Sequence, residues 1–307
     1  MKARKFGFYG VMTMTKKDKR NLLKVLAFIS PWIVGFLVFT VYPVVVSFYY
    51  SFCDYSVFEK PVWTGLDNYM ELFTDGVFWQ SLWNTFYYSL LALPLGIIVA
   101  FLISLLLNTK SRGMTFFRTF FYIPTLVPLV ALAILWMWIL NGQFGLINYF
   151  LSLLGIRGPN WLNDKYLVIP ALVFMGLWTT GRTMVVLLAS LQDVPVTLYE
   201  AADIDGASFF QKTLKITLPM ISSIIFFNII MGIIGSLQIF AEPYIMTGGG
   251  PGRASTFYSL YLYQKAFEDY QMGYASAMAW ILFIIILLLT VYANRISKKF
   301  VYYRGVK

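Results

Sequence analysis

What most constrains this chain is the recurrence of uninterrupted apolar runs, at 22–48, 83–107, 117–140, 167–190, 220–239 and 274–293. A helix needs about 20 apolar residues to cross the roughly 30 Å of hydrocarbon in a bilayer, and each run is close to that length. A backbone surrounded by lipid has no water to bond, so a spanning segment must satisfy its own amides and carbonyls, and these runs are predicted to be helices. Pro31, Pro43, Pro94, Pro124, Pro128 and Pro170 lie within or beside them. Such residues are tolerated where neighbouring helices or water take up the freed carbonyls, which favours a bundle over isolated anchors. The expected fold is all-α: a polytopic membrane bundle of six transmembrane helices.

Charge gives the expected orientation. The chain is 59% hydrophobic and 12% charged, against about 25% charged in soluble domains. Its net charge of +10 is concentrated at the ends: Lys2, Arg4, Lys5, Lys16, Lys17, Lys19, Arg20 and Lys24 precede or open the first run, and Arg295, Lys298, Lys299, Arg304 and Lys307 follow the last. This is a topology signal, not a nucleic-acid patch. Lys110, Arg112, Arg118, Lys212 and Lys215 flank alternate loops, whereas 51–82 holds Asp54, Glu59, Asp67, Glu71 and Asp75 against Lys60. By the positive-inside rule both termini are expected in the cytoplasm, as is the loop at 191–219. The expected organisation is a basic tail at 1–21, mostly unstructured, a six-span domain at 22–295 and a second basic tail at 296–307.

Several chemistries are excluded by what the chain lacks. It has no His and a single Cys, Cys53, so it offers no His or Cys metal site, no His-based nucleophile pair and no internal disulfide. The run at 248–256, GGGPGRAST, lacks the Gly-Lys-Ser/Thr ending of a phosphate-cradling loop and is expected to be a flexible outer loop. The segment 63–79 fits a short helix at the membrane interface. No acid falls clearly inside a run, although Glu242 stands at an outer edge, so the chain of intramembrane carboxylates common in ion-coupled transporters is missing.

The loop at 191–219 is the longest polar interruption between two membrane-length runs on the expected cytoplasmic side. Pro195 suits a helix start, 196–204 reads as helix, Gly206 supplies a turn, and Ser208 can cap a second helix over 209–215. Pro219 then marks entry to the fifth span. The product is a helix–turn–helix with small residues near its tip, which let another protein approach the backbone closely.

The spacing within this loop is specific. Glu200-Ala201-Ala202, Gly206 and Ile216-x-Leu218-Pro219 resemble the signature of the integral-membrane subunits of binding-protein-dependent ABC importers. Asp67-Asn68-Tyr69, Asn84-Thr85, Phe121-Tyr122-Ile123-Pro124, the run from Tyr244 to Pro251 and Tyr274-Ala275-Ser276-Ala277-Met278 are similar to segments of the carbohydrate branch, in particular the first permease of maltose, multiple-sugar and glycerol-phosphate systems. The resemblance implies a bacterial or archaeal cytoplasmic membrane, a second homologous permease, two ATPase subunits that hold ATP and magnesium, an extracytoplasmic solute-binding protein and a carbohydrate substrate. No cofactor and no catalytic group is expected in this chain. The resemblance further implies that Glu200, Ala201, Ala202, Asp203, Gly206, Ile216, Leu218 and Pro219 form the coupling element, and that the fourth span contributes to the substrate path.

A charge inside a span is costly, and Arg182 stands inside the fourth. Because the resemblance implies that this segment contributes to the substrate cavity, Trp178, Thr179, Thr180, Arg182 and Thr183 are substrate-path candidates, joined by Asn228, Ser236 and Gln238 of the polar strip in the fifth span. Gly232 and Gly235 are read as helix-packing positions, and Trp136 and Trp138 as packing or belt residues. A guanidinium at Arg182 suits a carboxylate or phosphate, so the expected substrate includes acidic sugars, with a neutral oligosaccharide or glycerol phosphate as alternatives.

Overall fold

In a computed structural model, the structure describes residues 16–109 and 111–301. The first fifteen residues of the basic N-terminal tail, Lys110, and 302–307 of the second tail lie outside the described residues.

The first run is one long helical rod. Helix α1 (Lys16–Phe36) passes through a wide turn at Leu37–Val41 into α2 (Tyr42–Tyr50). It begins six residues inside the stretch expected to be tail. A two-residue antiparallel ladder follows, β1 (Cys53–Asp54) against β2 (Val62–Trp63). Helix α3 (Asp67–Thr74) is the short helix expected within 63–79, with Trp63 and Trp79 falling outside it. Helix α4 (Gly76–Leu107) then runs unbroken through the second apolar run. Its N-terminus is capped by the Asp75 carboxylate, which accepts the Val77 amide at 2.8 Å.

Two expected spans are broken. The third was expected as a continuous helix over 117–140. It is instead α5 (Met114–Tyr122), a tight 3₁₀ turn at Ile123–Leu126 and α6 (Leu129–Ile139), bent by 99°. Pro124 and Pro128 explain the break, since neither has an amide to donate and each disfavours helical geometry in the residue before it. The fourth, expected over 167–190, divides into α8 (Val168–Trp178) and α9 (Gly181–Gln192), bent by 49°. At the break the Thr179 and Thr180 hydroxyls each donate back to the carbonyls of Gly176 and Leu177 at 2.9 Å, competing with the helical ladder beside Gly181. Pro170 causes no kink, because it lies in the first turn of α8. Helix α7 (Leu146–Leu153) lies between these two pairs.

The fifth run forms α13 (Ser222–Leu237), breaks at 238–240 and resumes as α14 (Ala241–Met246). After α15 (Tyr258–Tyr263), α16 (Met272–Phe300) closes the bundle and extends into the expected second tail. Among the described residues four stretches are long and apolar enough to span a membrane, and there are six spans if each bent pair counts as one. Helix α4 is the axis, packed against α8, α9, α13 and α15.

One expectation fails outright. The Gly-rich stretch after α14 is not a flexible loop but a closed turn. The Thr247 and Ser255 hydroxyls bond at 2.7 Å, and Thr256 donates to the Gly249 carbonyl at 3.1 Å. The Asn84 amide donates to the carbonyls of Arg253 and Thr256, both at 3.0 Å, while the Tyr258 amide donates to the Thr85 hydroxyl at 2.8 Å. Ser255, Phe257 and Tyr258 have no exposed surface. Glycine content made this stretch look mobile, whereas the glycines are there to let its backbone fold back on itself onto α4.

Candidate functional site

At one end of the bundle, 191–219 forms the expected helix–turn–helix. Helix α10 (Val196–Ile204) starts after Pro195, which takes the capping position itself, one place earlier than expected. Gly206 has φ of +71°, a left-handed conformation that costs an L-residue about 1–2 kcal/mol. Ser208 caps α11 (Phe209–Lys212) in a reciprocal box with Gln211. The second helix is a pure α-helix for only these four residues. It continues through a wide turn at Thr213–Thr217 into α12 (Leu218–Met220).

The loop is rigid on one side and open on the other. Lys212 Nζ pairs with Asp203 Oδ1 at 2.6 Å across the turn, and the hydroxyls of Tyr199 and Thr217 bond at 2.9 Å. Tyr199 and Ile216 pack on a buried cluster of Ala100, Leu107, Met184, Leu187, Leu188, Leu191, Val194 and Ile221. Ile216 therefore anchors the loop to α4, α9 and α13. On the open side Glu200, Ala201, Asp203 and Gly206 are exposed, and neither α10 nor α11 has a buried residue. Ile204 is 88% and Phe210 75% exposed. Ala202 and Leu218 are half-buried, and Pro219 is exposed.

Deeper in the bundle the three helix breaks converge on two cavities. The first, about 360 Å³, lies between α4, the α8–α9 break and α13. It gathers Thr179, Thr180, Thr183, Asn228 and Ser236 from the expected set, with Tyr88 and Glu242. The Asn228 Nδ2 group donates to the Ile224 carbonyl at 2.8 Å, and no hydrogen bond commits its side-chain oxygen among the described residues. Ser236 Oγ is buried without any hydrogen-bond partner. Buried polar atoms are rarely left unpaired, so this hydroxyl is free to bond a group that enters the cavity. Gly232 allows the Leu93 side chain of α4 to approach, as expected of a packing position, whereas a side chain at Gly235 would meet no described residue within 4 Å.

The second cavity, about 530 Å³, is walled by the 124–129 break and by Met175, Gly176, Thr179, Arg182 and Glu242. Arg182 reaches it with no hydrogen bond or ion pair to any described residue. Trp178 and Gln238 line neither cavity. The Trp178 ring packs edge-on against Trp136 at 5.7 Å, and Gln238 is exposed at the end of α13. Trp136 is buried between Trp178 and Phe174, a packing residue as expected.

Sequence reasoning missed Tyr88 and Glu242. Tyr88 sits in an unmarked apolar run. Glu242 looked marginal because the span was taken to stop at 239, when the helix resumes at 241 and turns the carboxylate inward. A larger cavity, about 770 Å³, opens at the end opposite the loop, beside Trp83, Tyr87 and Tyr166. Asn84, one of its lining groups, is already committed to the Gly-rich turn.

A bundle of spanning helices, broken around a polar cavity and carrying an exposed helix–turn–helix at one end, defines a membrane permease driven from outside itself. The chain belongs to the family of binding-protein-dependent transport system inner membrane components, whose profile matches residues 92–301. It is 41% identical over 299 residues to the probable ABC transporter permease protein YesP of Bacillus subtilis (strain 168), covering 96% of each chain. It is 35% identical over 276 residues to the trehalose/maltose transport system permease protein MalF of Thermococcus litoralis, covering 88% of this chain and 92% of that one. Among solved structures it is similar to a bacterial ABC transporter involved in the import of the acidic polysaccharide alginate, with a TM-score of 0.82 and 26% identity over 92% of this chain and 98% of that one. The chain is thus a multi-pass transport subunit of an ABC importer, not an enzyme in itself, and ATP hydrolysis belongs to separate ATPase subunits.

Proposed function

We propose that this permease carries a sugar or oligosaccharide, handed over by an extracytoplasmic solute-binding protein, through the two cavities between α4, α8–α9 and α13–α14. The observation that carries this reading is the unpaired Ser236 hydroxyl among Thr179, Thr180, Thr183 and the free oxygen of Asn228. Such a wall exchanges hydrogen bonds with sugar hydroxyls and places no demand for a metal or cofactor. A second permease of the same kind completes the path, and two ATPase subunits supply bound ATP and magnesium. The membrane is the cytoplasmic membrane of a bacterium or archaeon, with both termini and 191–219 on the cytoplasmic side.

Energy enters through 200–206. Glu200 offers a charge to a basic residue of the ATPase, while Ala201, Ala202 and Gly206 allow close approach. Asp203 braces the turn through Lys212, and Ile216, Leu218 and Pro219 lead into α13. Closure of the ATPase pair moves the loop as a rigid body. The cluster of Met184, Leu187 and Leu191 passes that motion to α9, which carries Thr183 and Arg182.

The substrate class we favour is acidic, a uronate-containing oligosaccharide, because Arg182 faces its cavity with no hydrogen-bond or ion-pair partner among the described residues. A neutral oligosaccharide is the second reading, favoured by the Glu242 carboxylate in the same cavity. Titrating the cognate binding protein with neutral and uronate oligosaccharides, and measuring uptake by the assembled complex, decides. We expect uronate uptake that Arg182→Gln abolishes while assembly and basal ATPase persist. Unchanged uronate uptake in that variant overturns the acidic reading, and uptake of no sugar at all overturns the sugar reading.

A further inference from the structure

Glu242 is the only carboxylate within the six spanning stretches of the described residues. It is also the one charged group that lines both cavities. It stands just beyond the α13–α14 break, across the second cavity from Arg182 at the start of α9. Opposite charges that line one cavity can form an ion pair, yet none joins these two. Gly176 and Thr179, like Glu242, are common to both cavities.

That separation answers a difficulty in moving an anion past Arg182. A guanidinium that has no ion-pair partner among the described residues is free to bind a carboxylate bidentately. Passage requires binding strong enough to admit the ligand and weak enough to release it. A fixed carboxylate in the same cavity competes for the guanidinium and repels the departing anion.

We propose that Glu242 is a specificity-determining residue, the counter-charge to Arg182 that lets an acidic sugar be released from the cavity after it has been recognised. This rests on reading the cavities as the sugar path. The test uses the full complex, with its partner permease, ATPases and binding protein, in proteoliposomes. Turnover and retained radiolabel are measured with alginate trisaccharide and with maltotriose.

Glu242→Gln is expected to retain more alginate trisaccharide and to turn it over about tenfold more slowly, the effect of roughly 1.4 kcal/mol of charge interaction. Maltotriose turnover should fall by a clearly smaller factor, and Glu242→Asp, which keeps the charge, should restore the wild-type ratio of the two sugars. Equal losses on both sugars with unchanged retention, or no change on either, overturn the proposal. A wild-type complex that carries maltotriose but not alginate trisaccharide also overturns it, leaving the neutral-sugar path intact. A wild-type complex that carries neither overturns the sugar path and this proposal together.

Discussion

Two polar interruptions leave the bundle at opposite ends, and they are built in opposite ways. The turn following α14 is finished within this chain: Ser255, Phe257 and Tyr258 are fully buried, and Asn84 and Thr85 of α4 hold its backbone. The loop at 191–219 is finished only along its base, where Tyr199, Ile216 and Thr217 meet the bundle. Its tip leaves Ile204 and Phe210 in the open. Monomeric surfaces seldom leave large apolar side chains together, and where they do a partner is expected. Hydrogen bonds to α4 make the one end a brace, and their absence at the tip of the other makes it a handle.

That contrast can be broken experimentally, and the largest expected effect is at the handle. Glu200→Lys should lower ATP-driven uptake by ~30-fold or more, the scale of losing about 2 kcal/mol when one partner of an interfacial charge pair is removed. Membrane insertion and thermal stability should stay as in the wild type. Normal uptake per ATP hydrolysed in this variant would remove Glu200 from the coupling contact.

At the brace the sign reverses. Asn84→Ala strips the buried Thr256 carbonyl of its side-chain donor and takes one of several donors from the Arg253 carbonyl, and should destabilise the subunit by about 1–3 kcal/mol. A thermal melt of the purified complex reads this, while uptake per ATP in the surviving protein should not move. A change in coupling with no loss of stability would make the two ends one device.

Smaller changes sharpen the picture inside the handle. Ser208→Ala removes the cap of α11 and should cost about 1 kcal/mol. Gly206→Ala places a side chain at φ +71° and should cost about as much. No described residue lies within 4 Å of the added methyl, so a coupling loss in excess of that strain would locate the ATPase surface. Limited proteolysis of the loop separates strain from lost contact.

The smallest expected effect concerns acid and the brace. Burial of Asp75 opposes its ionisation. The Tyr261 hydroxyl at 2.6 Å, the Tyr274 hydroxyl at 2.7 Å and the amides of Val77 and Phe78 outweigh that and hold its carboxyl below the usual carboxylate range. The unfolded chain then binds this proton at higher pH than the folded one, so the contribution is present above the ordinary carboxylate value and is lost as pH falls through the lowered one. Melting temperature should drop on acidification below about pH 4. Asp75→Asn should lack that part of the drop, and an identical acid profile would show that Asp75 is not its source.

The sequence alone determined the membrane-length helices, the capped helix–turn–helix and the polar residues Thr179, Thr180, Thr183, Asn228 and Ser236. Each depends on chemistry local to a few neighbouring residues: run length against bilayer thickness, a cap three residues from its amide, a hydroxyl in an apolar face. Tertiary structure decided where the spans break and what those breaks share. The 99° bend at Pro124–Pro128, the 49° bend at Thr179–Thr180 and the resumption at Ala241 place Arg182 and Glu242 on one cavity from spans far apart in the chain. It also turned a glycine-rich stretch into a brace, because Asn84 and Thr85 lie opposite it in space and not in sequence. Periodicity shows that a segment is helical and what it carries. The packing of bent helices around α4 settles which of those groups face one another.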